Sequence, residues 1–208
     1  MASVADEFEV RPLDVTDGTS VTRFFEDMAR DHDVRILVNN AGIYLDAPAS
    51  EGDLSAWERM VDVNLTGPLR CAREAARHMR KTGAGKIINV GSMYSAFGHP
   101  RSAGYTATKA GLVGLTRSLA AELGGHGIQA NAVLPGWFPT DSNGDLPRKP
   151  RGKEIRRRTP AGRWGRGSDL AGITVFLASR ASDFVTGTTV PVDGGYMICD
   201  LALDESPH

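Results

Sequence analysis

Cysteine is scarce in this sequence, and long apolar runs are absent. The 208 residues include only Cys71 and Cys199, too few for a disulfide framework, and neither belongs to a cluster with metal-ligand spacing. No apolar run approaches the ~20 residues of a membrane-spanning helix. Acidic and basic side chains interrupt the N-terminal segment, so it lacks the apolar core of a secretory signal. We therefore expect a cytoplasmic protein with neither a metal site nor a membrane partner.

The sequence also lacks an excess of charge of either sign. Lys and Arg total 24, Asp and Glu total 25, and the formal net charge is −1. This balance provides no global attraction to nucleic acid, so we expect no nucleic-acid partner. A hydrophobic content of 41% over 208 residues suits a soluble chain that folds as one domain, residues 1–208.

Short apolar runs alternate with amphipathic stretches along the chain. This order is typical of an α/β domain with a parallel sheet. The predicted strands are residues 9–13, 35–38, 87–90, 128–134 and 188–192.

Four stretches have the apolar spacing of a helix. The first begins after Thr16 or Asp17 as its N-cap, and the second, residues 54–80, should bend at the Gly-Pro pair at 67–68. The last follows Ser168 as its cap. The predicted buried positions are Val21, Phe24, Phe25, Met28 and Ala29 in the first helix; Trp57, Met60, Val61, Leu65, Leu69, Ala72, Ala76 and Met79 in the second; Leu112, Leu115, Leu119 and Leu123 in the third; and Leu170, Val175, Phe176 and Leu177 in the last.

The stretch around Ser92 carries groups that suggest chemistry. Ser92 follows the predicted strand 87–90, and a helix beginning near Ser102 places Tyr105 and Lys109 one turn apart on one face. A phenol with a pKa of about 10 is a poor base at neutral pH, and a nearby ammonium lowers that pKa. The alternative is a chance Tyr-x-x-x-Lys pattern without catalytic meaning, which this stretch alone does not exclude.

A second polar group follows the strand predicted at 35–38. Its members are Asn39, Asn40, Ala41 and Gly42. Small and amide residues at the carboxyl end of a parallel strand suit a crevice where a ligand meets backbone, although a simple Asn-Gly turn explains them equally well. Asn64 lies on the apolar side of the second helix, and a buried Asn must find hydrogen-bond partners. It either satisfies the bend or holds a water that reaches the active site.

A basic segment lies between positions 148 and 158, where Glu154 is the single acid. One interpretation is a solvated charged helix or loop. The other is a mobile lid over the substrate, whose charge favours an anionic substrate by steering and direct pairing. The basic residues are Arg148, Lys149, Arg151, Lys153, Arg156, Arg157 and Arg158, and the last three are the expected contacts in the second interpretation.

Together these motifs resemble the short-chain dehydrogenase/reductase family over almost the whole chain. The matching pieces are Asp14-Val15, Asn39-Asn40-Ala41-Gly42, Asn64, Ser92, Tyr105-x-x-x-Lys109, Pro135-Gly136 to Thr140, and Val192-Asp193-Gly194-Gly195. The resemblance implies a Rossmann-like, doubly wound parallel sheet in three layers, NAD or NADP as cofactor, a small-molecule substrate and a homo-oligomer, either dimer or tetramer. Residues 159–165 are most similar to the branch that acts on sugar acids, such as gluconate and deoxy-gluconate dehydrogenases.

The resemblance also implies a role for each matched residue in interconverting a secondary alcohol and a ketone. Tyr105 is the general acid/base, Lys109 lowers its pKa and holds the nicotinamide ribose, and Ser92 orients the substrate oxygen. Asn64 anchors a water that links Lys109 to solvent. The implied cofactor contacts are Asp14 and Val15 at the adenine, Asn39, Asn40, Ala41 and Gly42 at the adenine ribose, and Pro135, Gly136, Phe138 and Thr140 on the nicotinamide side.

One motif of the family is missing. No G-x-G-x-x-G follows a strand, and the 38 residues before Asn39 already hold a predicted strand and helix, so the family's first two strands do not fit. We therefore expect a fold without those two strands and regard Met1 as an internal start within a longer enzyme. Since backbone N–H groups at a helix N-terminus normally bind the pyrophosphate, the 208-residue chain should bind NAD or NADP weakly, if at all, and turn over slowly.

Two alternatives for the function stay open. The first keeps the enzyme class and changes the substrate to a 3-oxoacyl thioester on a carrier. The second is a catalytically silent binding or oligomerisation module that retains the later part of the fold. The intact Ser92, Tyr105 and Lys109 argue against the silent module, whereas the missing phosphate loop argues for it.

Overall fold

A parallel four-stranded sheet forms the centre of the computed structural model, which describes residues 8–199. The strands are β1 (Ile36–Asn39), β2 (Gly85–Val90), β3 (Ile128–Pro135) and β4 (Thr189–Val192). Their order in the sheet is β1-β2-β3-β4, and every neighbouring pair is parallel. Parallel neighbours need long crossover connections, and the helices provide them.

Helices connect the strands on both sides of the sheet. They are α1 (Gly18–Asp31), α2 (Leu54–Val61), α3 (Gly67–Thr82), α4 (Ala103–Leu123), α5 (Pro150–Arg158) and α6 (Gly167–Ala178). A π-helical segment, Asp62–Thr66, joins α2 to α3. Asp17 caps α1 by accepting a hydrogen bond from the Thr19 N–H, and Gly83 ends α3 with φ 64°, a conformation that glycine adopts without steric cost.

The core has two apolar layers because successive strand residues point to opposite faces. Ile87 faces α1, α3 and α4 in the larger layer, whereas Ile88 faces Leu177 of α6 in the smaller one. The larger layer includes Val21, Phe25, Cys71, Ala72, Met79, Leu119 and Leu123. Helices on both faces of a parallel sheet make the three-layered, Rossmann-like α/β fold expected from the sequence.

The first predicted strand is wrong, and the second lies at an edge instead of inside the sheet. Residues 9–13 form no strand, and Leu13 packs against the larger core layer beside α1. Within residues 8–199, β1 pairs only with β2, and Ile36 and Val38 are 50% and 44% exposed. An extended segment requires a hydrogen-bonding neighbour to become a strand, and no described strand lies beyond β1.

Several helix faces also differ from the predicted ones. Trp57 and Leu69 are 40% and 45% exposed, and Val175 and Phe176 are 67% and 37% exposed. The spacing of apolar residues predicts a buried stripe along a helix. It does not predict which edge of that stripe packs against the sheet. The Gly-Pro pair at 67–68, where a bend was predicted, comes directly after the π-helical segment. That segment joins α2 to α3 with no non-helical residue between them.

The predicted cap of the last helix is wrong as well. α6 begins at Gly167, and the Asp169 carboxylate accepts a hydrogen bond from the Arg166 N–H. Asp169 also pairs with Arg163. The acidic side chain therefore satisfies the start of the helix, and Ser168 is not needed as a cap.

No helix among residues 8–199 is long and apolar enough to span a membrane. The same part of the chain contains no group of three or more His, Cys, Asp or Glu residues placed to hold a metal ion.

Two residues of α6 allow a test of its buried face. Leu177→Ala should lower the free energy of unfolding by about 2–5 kcal/mol, because it leaves a cavity in the smaller core layer. Val175→Ala should change it by no more than about 0.5 kcal/mol, because Val175 is exposed. Urea denaturation of both variants measures the difference. A loss in Val175→Ala as large as that in Leu177→Ala would contradict this placement of the helix.

Candidate active site

The carboxyl ends of all four parallel strands lie at one edge of the sheet. Asn39 ends β1, Ser92 follows β2, and Gly136 follows β3. Asp193 comes directly after β4. The sheet therefore brings residues that are far apart in sequence to one place, which is where ligands bind in open α/β folds.

Ser92, Tyr105 and Lys109 come together at this edge. Ser92 is 7% exposed, and its hydroxyl accepts a hydrogen bond from the Tyr94 N–H. Tyr105 and Lys109 lie one turn apart on α4, with the Lys109 Nζ 5.8 Å from the centre of the Tyr105 ring. Lys109 donates a hydrogen bond of 2.8 Å to the Val90 carbonyl at the end of β2. That bond uses one of three ammonium donors, so two remain for a ligand.

Burial shifts the pKa values of the tyrosine and the lysine in opposite directions. It raises the pKa of Tyr105 above 10, an effect that the neighbouring Ser92 hydroxyl partly offsets. It lowers the pKa of Lys109 to about 8. The expectation that Lys109 lowers the phenol pKa is therefore not met in the chain alone. Desolvation disfavours both charged forms, and it is the largest cause of each shift.

Asn64 fixes the loop that follows β1. Its side-chain oxygen accepts a hydrogen bond from the Ile43 N–H at 2.8 Å, and its side-chain nitrogen donates to the Ile43 carbonyl at 2.9 Å. The same nitrogen lies 3.3 Å from the hydroxyl of Thr108, which donates to the Tyr105 carbonyl. Asn64 is fully buried in the π-helical segment, so it ties the loop to the helix that carries the tyrosine.

The first and last of residues 39–42, Asn39 and Gly42, lie against other residues of the site. A Cβ atom on Gly42 would lie 3.5 Å from the Lys109 Nζ and 3.4 Å from the Asn64 Oδ1. Asn39 is buried and donates to the Asn89 side chain at 2.9 Å. Asn40 and Ala41 are exposed. The missing side chain of Gly42 therefore leaves room for about one methyl group beside the lysine, and the two residues before it are accessible to solvent.

Asn89 and Thr116 connect the strands at this edge to α4, and no local sequence pattern pointed to them. Asn89 donates to the Thr116 hydroxyl at 2.9 Å, and that hydroxyl donates to the Leu112 carbonyl at 2.7 Å. The chain of hydrogen bonds runs from β1 through β2 to α4. A fully satisfied buried network of this kind fixes the relative position of the elements that it joins.

Asp14 and Val15 lie beside the start of α3. The Asp14 carboxylate accepts hydrogen bonds from the backbone and hydroxyl of Thr16, and these bonds lower its pKa. Arg70 donates to the Val15 carbonyl at 3.1 Å and pairs with Asp62 at 2.6 Å. The segment is thus attached to the start of α3 although it forms no strand.

The residues of the loop after β3 contact two parts of the fold, the end of β4 and the segment before α6. The Gly136 N–H donates to the Val192 carbonyl, and a Cβ on Gly136 would clash with Asp193. Phe138 packs closely on Gly165 near the start of α6. Pro135 is partly buried and Thr140 is exposed. Phe138 therefore lines a small cavity with Trp137, Asp193 and Gly194.

Aromatic side chains surround Tyr105, and sequence analysis did not select them. The rings of Tyr44 and Tyr94 lie edge-on to Tyr105 at centroid distances of 5.4 and 6.2 Å. His99 lies 5.7 Å from Tyr44 and 4.8 Å from Tyr94. Trp137 lies 6.4 Å from Tyr94. These residues come from three loops, so no sequence period could have grouped them.

A family model described as enoyl-(acyl carrier protein) reductase matches residues 1–197. A 2-dehydro-3-deoxy-D-gluconate 5-dehydrogenase from Bacillus subtilis is 39% identical over 186 residues, covering 89% of this chain and 73% of the relative. A 3-oxoacyl-(acyl carrier protein) reductase from Thermotoga maritima is 36% identical over 187 residues, covering 89% of this chain and 76% of the relative.

The fold is also similar to that of solved structures. One is the crystal structure of a gluconate 5-dehydrogenase from Burkholderia cenocepacia in complex with NADP and tartrate. Its TM-score is 0.87 at 41% sequence identity, and the match covers 90% of this chain and 74% of that one.

The buried ammonium gives a pH-dependent prediction. Because the pKa of Lys109 falls from 10.5 to about 8 on folding, the unfolded chain binds more protons between these pH values, and this group makes stability rise with pH. Lys109→Met should lack that rise. The free energy of unfolding of the wild type minus that of the variant should therefore increase by up to about 3 kcal/mol from pH 7.5 to 10.5.

Denaturation at several pH values measures this difference. Lys81→Met removes an exposed ammonium from α3 and serves as the matched control. A difference between wild type and Lys109→Met that is flat, or that falls as the pH rises, would show that Lys109 is not desolvated.

Proposed function

The chain belongs to the short-chain dehydrogenase/reductase family, a family of oxidoreductase enzymes, and from that premise we propose that it interconverts a secondary alcohol and a ketone on a sugar acid, using NAD or NADP. The main support for this proposal is that Ser92, Tyr105 and Lys109 lie close together at the carboxyl edge of the sheet. The relatives named for sugar-acid dehydrogenases support the substrate class.

In this proposal Tyr105 moves the proton of the reacting oxygen. In the reductive direction its phenol donates a proton to the oxygen of the ketone, and in the oxidative direction its phenolate accepts the proton of the alcohol. The Ser92 hydroxyl donates a hydrogen bond to the same oxygen and orients it. The cofactor supplies or accepts the hydride.

Lys109 and Asn64 support that proton transfer. The two free N–H donors of Lys109 suit ribose hydroxyls, and Gly42 leaves the space beside them. Asn64 holds the adjoining loop and is the proposed anchor for a water between Lys109 and solvent. The positive charge of Lys109 favours the phenolate, and in the proposed mechanism this attraction opposes the desolvation that raises the pKa of Tyr105.

The described residues suit the adenine and nicotinamide ends of a dinucleotide better than the pyrophosphate between them. Asp14 and Val15 remain the proposed adenine contacts, and residues 39–42 the proposed adenine-ribose contacts. Pro135, Gly136, Phe138 and Thr140 remain the proposed contacts on the nicotinamide side. The carboxylates of Asp17 and Asp53 already accept the first N–H groups of α1 and α2, so neither of these helix starts suits a pyrophosphate.

A 3-oxoacyl thioester is the second candidate substrate, and the Thermotoga maritima relative favours it. Assays with D-gluconate and with an acetoacetyl thioester separate the two substrates. A homo-oligomer and a cytoplasmic location remain further proposals. Light scattering on the purified chain tests the first, and fractionation of the source cells tests the second.

Replacing the proposed acid/base gives the first functional prediction. Tyr105→Phe keeps the ring and its contacts with Tyr44 and Tyr94 but removes the proton donor. Turnover at saturating cofactor should fall by at least about 10²-fold, while the melting temperature stays close to that of the wild type. Tyr44→Phe is the matched control and should retain most of the turnover. Full activity in Tyr105→Phe would remove Tyr105 from the mechanism.

The cofactor affinity of residues 1–208 gives a second prediction. Charge-assisted hydrogen bonds contribute roughly 1.5–3 kcal/mol each, so a pyrophosphate that lacks two of them should bind about a hundredfold or more weakly. We expect dissociation constants well above the micromolar range for both NADH and NADPH. Quenching of Trp57, Trp137 and Trp164 measures them. Micromolar binding with steady turnover would mean that other residues hold the phosphates.

A further inference from the structure

The wall of the cleft beside Tyr105 contains a histidine with a free donor. The Arg101 N–H donates to the His99 Nδ1 at 3.2 Å, so the proton of the neutral ring lies on Nε2. Within residues 8–199 the Nε2 atom has no hydrogen-bond partner. Burial, and after it the charge of Arg151, lowers the pKa of His99. The ring is therefore neutral at pH 7, with an N–H available to an acceptor.

An arginine on α5 lies on the side of the same rings. Ile155 of α5 is 5% exposed and packs in a cluster that includes Met93 and Tyr94. Arg151 precedes Ile155 by one turn and so lies on the same face of the helix. Its charge opposes the effect of burial on the pKa of Tyr94. The packing of Ile155 thus places the helical face that carries Arg151 beside the aromatic group around Tyr105.

Arg151 has no carboxylate partner among the described residues, in contrast to Arg101 and Arg148. Arg101 pairs with Asp46 at 2.7 Å, and Arg148 pairs with Asp145 at 3.8 Å. The Arg158 guanidinium lies 4.4 Å from the centre of the Tyr196 ring and 3.4 Å from its hydroxyl. Arg158, which was expected to meet an anionic substrate, is therefore engaged within the fold.

We propose that Arg151 and His99 together bind the carboxylate of the substrate, a proposal that rests on the proposed function for the reacting end of that substrate. A carboxylate accepts hydrogen bonds from a guanidinium and from an imidazole N–H at the same time. The other charged side chains near His99 are Asp46 and Arg101, and they neutralise each other. The positive charge that remains on this wall is that of Arg151.

One tyrosine ring adjoins both the proposed carboxylate site and the reacting phenol. The centre of the Tyr44 ring lies 5.4 Å from that of Tyr105 and 5.7 Å from that of His99. In this proposal the carboxylate meets His99 while the reacting carbon meets Tyr105, so the two groups belong to different parts of the substrate. The favoured substrates are therefore polyhydroxy acids whose reacting carbon is several bonds from the carboxylate.

A charge-neutral partner substrate tests this site. D-Gluconate and D-glucitol have the same number of carbons and differ at one end, where a carboxylate replaces a hydroxymethyl group. Arg151→Gln should raise KM for gluconate by at least about tenfold, the loss of one charge-assisted hydrogen bond, and leave KM for glucitol unchanged. His99→Phe keeps an aromatic ring and should show the same selectivity. In both variants kcat should change less than KM.

Lys153→Gln is the matched control, because it removes a charge about 200° around the same helix and should raise neither KM. An equal rise for both substrates in Arg151→Gln, or a rise for gluconate in Lys153→Gln as large as in Arg151→Gln, would overturn the proposal.

Calorimetric titration of gluconate separates this proposal from the proposed function. Binding that depends on Arg151, without oxidation of any sugar acid, would support the carboxylate site and count against the proposed reaction. Oxidation of gluconate that is insensitive to both Arg151→Gln and His99→Phe would leave the reaction in place and overturn the carboxylate site.

Discussion

The hydrogen bond from the Lys109 ammonium to the Val90 carbonyl holds the site together. It joins α4 to the end of β2, and these two elements position Ser92, Tyr105 and Asn64. Ser92 follows β2, Tyr105 lies one turn before Lys109, and Asn64 reaches the same helix through Thr108. A buried ammonium with a single carbonyl partner is costly in the chain alone, which explains why its pKa falls to about 8.

Local patterns predicted the parts of the fold that depend on neighbours in sequence. The spacing of Tyr105 and Lys109 was enough to place them on one helical face, and the apolar run after Lys86 was enough to make β2 a buried strand. Residues 9–13 failed as a strand because a strand needs a partner, which its own sequence does not specify. Val175 failed as a buried residue because the sheet, rather than the helix pattern, determines which side of α6 is covered.

The sequence predicted those site residues that follow a strand or lie on a helix, but not those that come together from separate loops. Ser92 and residues 39–42 follow strands, so the parallel sheet alone brings them to one edge. Tyr44, His99 and Trp137 come from separate loops, and each of the last two has its ring beside that of Tyr94, a contact that only the fold determines. The basic segment was visible as charge, but the contact of Arg158 with the Tyr196 ring, which distinguishes Arg158 from Arg151, was not.

The opposite pKa shifts of Tyr105 and Lys109 are consistent with a shared role in proton transfer. Burial disfavours a lone phenolate and a lone ammonium, and it raises one pKa and lowers the other for the same reason. The same low dielectric strengthens the attraction between the two when both are charged. A phenolate–ammonium pair therefore forms only where the attraction between the two charges exceeds the cost of desolvating both groups.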